Sequence, residues 1–319
     1  MSDPPENPLA NRLGSGLTEE MLRSAVEESG YPLQTFVGNV LRDSYSVDEE
    51  WAYIDRDSGE VRTMDMHAWK FLFDWNNQPR VRPTVNLLIE CKQSDLPYVF
   101  FKSDSPQFVF DHPVICGLGH SGIEIATDDS GSTWVLPVIN ALGLHDHDFQ
   151  RAPRFSKTFS KCVRKGAKVE LSGTDAYSHL ILPLVKALSH FRTDSKPPDT
   201  AVYFDAHTCI GLGVLDAPMV IATSDKTGTA LEFSPWVRIA RHDYEGEEGK
   251  PNRHHYWVID IVHKDFLRTY VDSALGPFVN DFGERVLRHT QEIATGRGFA
   301  SGMEADSWNG LDERLKPKR

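Results

Sequence analysis

The feature that most constrains this chain is the run Thr84-Val-Asn-Leu-Leu-Ile-Glu-Cys-Lys92. Almost continuous apolar character over so short a stretch marks a strand covered on both faces, as found inside α/β sheets. Such a run does not tolerate charge by accident, yet it ends in Glu90 and Lys92. Strand side chains alternate between faces, so Glu90 and Lys92 share one face and Ile89 and Cys91 the other. Two opposite charges at the end of a buried strand mark a candidate site.

The segments before this run support an α/β reading. Residues 18–29 read as a helix capped by Thr18, with Glu19 and Glu20 at its positive end. After Gly30 a second helix runs from Pro32 to about Asp43, its core stripe being Leu33, Phe36, Val37, Val40 and Leu41. The strands 51–56 and 60–69 are joined by Asp57-Ser58-Gly59, a tight hairpin turn. In the second of them Val61, Thr63, Asp65 and His67 are expected on one face, and Arg62, Met64, Met66 and Ala68 on the other.

Asp65 and Glu90 would therefore stand on neighbouring strands. Such a carboxylate pair suits Mg²⁺, a hard ion that prefers oxygen and keeps several waters. The Cys91 carbonyl could add a third ligand. Lys92, beside the ion, could orient water or stabilise charge on a phosphate.

The order helix, hairpin, Asp65, apolar strand, Glu90-Cys91-Lys92 resembles the PD-(D/E)XK nuclease superfamily, the restriction-endonuclease-like fold. The resemblance covers about residues 30–102 and extends to a helix near 174–191 and a strand near 200–206. Met64 stands where the family often has proline. Gln34, in Tyr-Pro-Leu-Gln-Thr, matches the glutamate or glutamine that members carry on the first core helix. The resemblance implies a mixed central sheet flanked by helices, with extra strands and a C-terminal helix. It also implies hydrolysis of phosphodiester bonds, most readily in DNA, with Mg²⁺ or Mn²⁺. Asp65, Glu90, Lys92 and Gln34 would form the catalytic set, and Asp65, Glu90 and the Cys91 carbonyl the metal ligands. Restriction, phage defence or repair are fitting settings, and a homodimer or an activating partner would be in keeping. A silent nucleic-acid-sensing module and an RNase of the same fold are the alternatives.

The net charge of −12 argues against a protein that coats nucleic acid non-specifically. One stretch is locally basic: Arg151, Arg154, Lys157, Lys161, Arg164, Lys165 and Lys168, with no acid among them. It is expected to grip phosphates, with Phe155 and Phe159 stacking on bases. Arg56, Arg62, Arg80 and Arg82 could also reach phosphates, and Asp205 could lie at the edge of the site. His145-Asp146-His147-Asp148, His254-His255 and Gly117-Leu-Gly-His-Ser-Gly122 carry weaker hints of metal or phosphate binding, and turns or packing are the simpler expectation.

The expected organisation is a disordered lead-in at 1–16, without the charged and apolar regions of a secretory signal. A single domain at 17–300 follows, with an insertion at about 102–170, then a frayed charged tail at 301–319. A helix at 174–191 kinked by Pro183, strands at 217–223, 231–241 and 254–262 and a last helix at 264–295 complete the reading. No run is long and apolar enough for a membrane span. The scattered cysteines fit reduced thiols and a cytoplasmic setting.

Overall fold

Gly30, at φ +81°, turns the chain between two helices, α1 (Glu19–Glu28) and α2 (Tyr31–Arg42). The Thr18 hydroxyl accepts from the Met21 amide at 3.2 Å and caps α1. Helix α2 buries Leu33, Val37 and Leu41, while Phe36 of the expected stripe stays exposed. The computed structural model describes residues 5–103, 112–127, 133–245, 253–301 and 310–317.

Three antiparallel strands follow: β1 (Ser46–Ile54), β2 (Val61–Phe71) and β3 (Val81–Gln93). At the β1–β2 turn Asp55 bonds back to the Glu60 carbonyl and Gly59 takes φ +72°. The chain then runs through short elements, β4 (Tyr98–Lys102), β5 (Val114–Cys116), β6 (Gly122–Thr127), β7 (Thr133–Pro137), β8 (Arg154–Lys165) and β9 (Lys168–Ser172). A helical segment comes next: an α turn (Gly173–Ala176), a π turn (Tyr177–Ile181) and α3 (Leu182–Asp194). The π turn stands where a proline kink was expected. Pro183 lacks the amide hydrogen that would continue regular bonding, and the turn before it widens.

This segment leads to β10 (Phe204–Asp216), which lies parallel to β3 over its whole length. Beyond it lie β11 (Met219–Asp225), β12 (Gly228–Phe233), β13 (Trp236–Glu245) and β14 (Arg253–His263). The strand expected at 231–241 is two strands, broken at Ser234-Pro235. The acidic loop 245–252 falls mostly outside the described residues. The last helix is likewise broken, its main part being α4 (Gly276–Arg288), with a change of backbone at His289 before Thr290–Thr295.

The result is an α/β fold with a large mixed sheet flanked by helices, in the order β1-β2-β3-β10-β14-β13-β8-β4-β11-β12. Strand β5 joins β10, and β9 joins β8. Residues 102–170 are thus not one insertion: β8 and β9 belong to the main sheet, whereas β6 and β7 form a second sheet with β15 (Arg297–Ala300) and β16 (Leu315–Pro317). The described part of the C-terminal tail is correspondingly not frayed. Leu311 and Leu315 are buried, and β16 pairs with β15.

The sheet is strongly curled. Strands β3 and β4 are five inter-strand steps apart, about 24 Å in a flat sheet. Only Ser94–Pro97 connects them, a span of at most about 18 Å. The curl wraps α3 and the π turn, whose Leu180, Ile181 and Leu184 pack with Leu88, Tyr98, Phe100, Met219 and Ile221. The absence of side chains at Gly211 and Gly213 lets Leu188 and Leu180 close on β10, for an added Cβ would lie 3.0 Å from each. The opposite face packs against α2 and α4.

Candidate active site

Strand β2 pairs with β3 from Phe71 back to Met66 and then departs, so Asp65 stands at the fork. Opposite Asp65 on β1, Glu50 adopts φ +50°, a left-handed backbone that non-glycine residues rarely take. The alternation of β2 changes here. Met66 and Ala68 join the core under α2, whereas Met64 joins the core around α3. The expected shared face of Met64, Met66 and Ala68 is therefore corrected: the left-handed backbone of Glu50 coincides with a change of face on β2 at Asp65.

The fork brings the three expected residues together. Asp65 Oδ2 accepts from the Cys91 amide at 2.7 Å, and Gln34 Nε2 of α2 donates to Asp65 Oδ1 at 2.8 Å. Lys92 Nζ lies 2.5 Å from Glu90 Oε1. Glu90 is buried, while the Lys92 side chain remains 29% exposed and reaches the surface. In a strand the N–H and C=O of one residue face the same neighbour, so the Cys91 carbonyl faces the gap that β2 leaves.

Burial pushes the Glu90 carboxyl up to about 7, and the nearby Asp65 charge adds to the shift. Asp65 is raised too, first by burial and then by Glu50, against the opposing pull of the Cys91 amide and Lys92. The buried Glu90 and the half-buried Asp65, with one lysine bonded to Glu90, carry surplus negative charge. That donor set, two carboxylates with a main-chain carbonyl, is of the kind a hard divalent cation takes. Among the described residues no group of three His, Cys, Asp or Glu side chains converges as a metal cluster. The protein ligands would be the two carboxylates and the carbonyl alone.

The basic stretch is dispersed. Arg151 pairs with Asp146 and Arg154 with Glu232, both at 2.6 Å, and Lys165 pairs with Glu170. Lys157 lies over the Tyr256 ring. Arg164 and Lys168 sit exposed near the β8–β9 turn. Phe155 and Phe159 cannot stack on bases: both are buried, Phe159 against Phe100. A bulge between Ser156 and Thr158 sends them into different cores: Phe155 packs with Ala240 and Val258, Phe159 with the core around α3.

Lys161 alone of this stretch turns to the site. It lines a pocket of about 340 Å³ with Lys92, Gln93, Tyr98, Val163, Asp175 and His179. Sequence spacing could not show this, because the curl of the sheet makes the contact.

Other candidates are engaged elsewhere. Arg62 holds Asp55, Arg56 the Thr193 hydroxyl and Arg80 the Val202 carbonyl. Asp205 takes both ends of the Arg82 guanidinium near the start of β10, whereas Gly213, eight residues on, stands opposite Glu90. Asp205 is therefore remote from the site. His147 caps the turn at Phe149, Gly117 takes φ +80° in a turn, and the side chains of His254 and His255 lie outside the described residues. The four cysteines are free and buried.

Sequence reasoning missed two groups. Glu50 is one, and its position opposite Asp65 in the hairpin register would have revealed it. The other is a buried knot in which Asn86 joins His67 (3.0 Å) and His207 (3.1 Å), with Thr84 against His207. Burial pushes both imidazoles down and keeps them neutral. Trp51 and Phe191 cover the knot, which braces the other end of β3.

Comparison of the chain with protein-family models, with curated proteins and with solved structures finds no match. No helix among the described residues is long and apolar enough to cross a membrane.

Proposed function

We propose that this chain is a metal-dependent nuclease with a PD-(D/E)XK-type centre, hydrolysing phosphodiester bonds in DNA. The observation that carries the reading is the fork itself. A buried and a half-buried acid, both with pKa values raised, meet at one fork, and a surface-reaching lysine lies two residues beyond the second acid. The chain order also supports it: α2, the β1–β2–β3 meander, a helical crossover through α3, and β10 parallel to β3.

In this reading Asp65, Glu90 and the Cys91 carbonyl hold Mg²⁺ or Mn²⁺. The ion, when bound, supplies Lewis-acid stabilisation of charge on the phosphate and activation of water. Gln34 and the Cys91 amide fix the Asp65 carboxylate in one orientation, so little reorganisation is needed. The Lys92 ammonium places positive charge at the mouth of the gap. Its hydrogen bond to Glu90 holds that charge where a phosphate oxygen would approach.

One observation favours a second reading, a silent nucleic-acid-sensing module. Both oxygens of Asp65 and one of Glu90 already have donors. The deciding experiment incubates plasmid, linear DNA and RNA with the protein in Mg²⁺, Mn²⁺ or EDTA, beside Glu90→Ala and Lys92→Ala. Metal-dependent cutting that falls at least about 100-fold in both variants is expected. Equal cutting by the variants would refute the site, and cutting of RNA alone would make it an RNase.

A further inference from the structure

The pocket of about 340 Å³ adjoins the proposed centre and shares Lys92 with it. Its walls come from the end of β3, the start of β4, the middle of β8 and the α and π turns that carry Asp175 and His179. Lys161 stands opposite Tyr98 in the β4–β8 register, with its Nζ 5.8 Å from the Tyr98 ring centroid. Among the described residues no ion pair holds Lys161, in contrast to Arg151, Arg154 and Lys165. An uncommitted ammonium on a half-buried stem, fixed over a buried aromatic wall, is a ready anion partner.

His179 faces it from the π turn, a wide turn of a kind often found at functional sites. Its Nδ1 donates to the Asp175 carbonyl at 2.9 Å, which leaves Nε2 for the pocket. Lys92 closes the side nearest Glu90. The pocket therefore offers two ammonium groups, one of them paired with Glu90, an imidazole, the Gln93 amide and the apolar surfaces of Tyr98 and Val163, against the single carboxylate of Asp175. This is the chemistry that suits a phosphate with its sugar and base.

Size sets the next constraint. About 340 Å³ is near the lower end of small-molecule sites, enough for one nucleotide. A duplex, about 20 Å across, cannot enter it; only a base released from pairing can. We infer that the pocket formed by Lys92, Tyr98, Lys161 and His179 is a subsite for one unpaired nucleotide adjoining the scissile phosphate. The inference rests on the nuclease reading for the word scissile. It directs the enzyme to single strands, flaps or frayed ends rather than intact duplex. The net charge of −12 agrees, for it disfavours laying the protein along an extended duplex.

The test measures binding without cleavage. Fluorescence anisotropy is read on the full chain in EDTA with a labelled oligothymidylate and with a blunt duplex of equal length. The single strand should bind more tightly, and Lys161→Gln and His179→Ala should each weaken it about tenfold. Lys161→Arg should restore most of the affinity, and Lys161→Gln should lower the salt dependence by about one phosphate contact. Thermal unfolding checks that each variant is folded, and His179, exposed on its turn, serves if Lys161→Gln is not. Single-strand affinity within twofold of wild type in both variants, equal binding of the duplex, or no binding of either probe overturns the inference. Failure of the nuclease reading shows separately, as tight single-strand binding with no cutting when Mg²⁺ is added.

Discussion

Two charge clusters lie in the same sheet and behave in opposite ways. On β13 and β14, Arg238 meets Asp260 through two hydrogen bonds, of 2.7 and 3.0 Å, and the Tyr270 hydroxyl donates to the same carboxylate at 2.8 Å. Arg238 also donates to the carbonyls of Phe149 and Gln150 and lies 4.7 Å from the Phe149 ring centroid. Burial alone would raise Asp260, but the charge and hydrogen bonds of Arg238 outweigh it and hold the carboxyl below its usual value. At the fork, Glu90 and Asp65 share one lysine, and both are raised. The ingredients are the same and the balance differs. A balanced cluster locks β13 and β14 to the segment around Phe149; an unbalanced one remains receptive to a positive ligand.

The largest expected effect comes from breaking the balanced cluster. Arg238→Met leaves Asp260 buried and uncompensated and should cost about 3–5 kcal/mol in urea unfolding. The double variant Arg238→Met/Asp260→Leu should recover much of that loss. A cost below about 1 kcal/mol for the single variant would remove the distinction between the clusters.

The next effect is in pH. Glu90 is raised in the folded protein, which therefore holds a proton that the unfolded chain releases between the ordinary glutamate value and about 7. Its contribution is present at the acid end of that window and fades as pH rises through it. Glu90→Gln should flatten this decline and leave the protein more stable than wild type above pH 7 by on the order of 2 kcal/mol. Asp260, being depressed, works the other way: its stabilisation is present above the ordinary aspartate value and is lost as pH falls through its lower folded value. Unfolding free energies measured across this range in EDTA would show the two slopes. A Glu90→Gln curve parallel to wild type would count against the surplus charge.

The smallest effect sharpens the same point. Mg²⁺ at about ten times its Kd should stabilise wild type by about 1.4 kcal/mol, read as a rise in Tm. Glu90→Gln should lose that rise, while Arg238→Met should keep it. An equal rise in Glu90→Gln would place the ion elsewhere.

What was legible in the sequence follows from how local each feature is. Strand alternation and an apolar run are local, so Glu90 and Lys92 could be placed on one face of β3 and Asp65 on its neighbour. The face change at Met64 was not legible, because it coincides with the left-handed backbone of Glu50 on the adjoining strand. The stretch 151–168 was read by its charges, whereas its Phe155 and Phe159 enter different cores across a bulge near Lys157. Its position depends on pairing with β13 and β4, from distant parts of the chain, and that no local pattern encodes. Gln34 illustrates the middle case: its helix was legible, whereas its hydrogen bond to Asp65 needed the packing of α2 on the sheet.

The short strap Ser94–Pro97 has a consequence for timing. It ties the end of β3 to Tyr98 through four residues, and Tyr98 pairs directly with Lys161. All the pocket walls therefore lie before residue 180, whereas the curled sheet that frames them needs β10, β13 and β14 from later in the chain. Such long-range pairing is slow to form, because loop closure precedes the contacts that reward it. A chain still being made can fold its β1–β3 meander early and so carry Asp65, Glu90 and Lys92. The sheet closes around the pocket only once β13 and β14 have joined β8 and β10. The frame of the pocket, rather than its walls, would then be the last part of the molecule to mature.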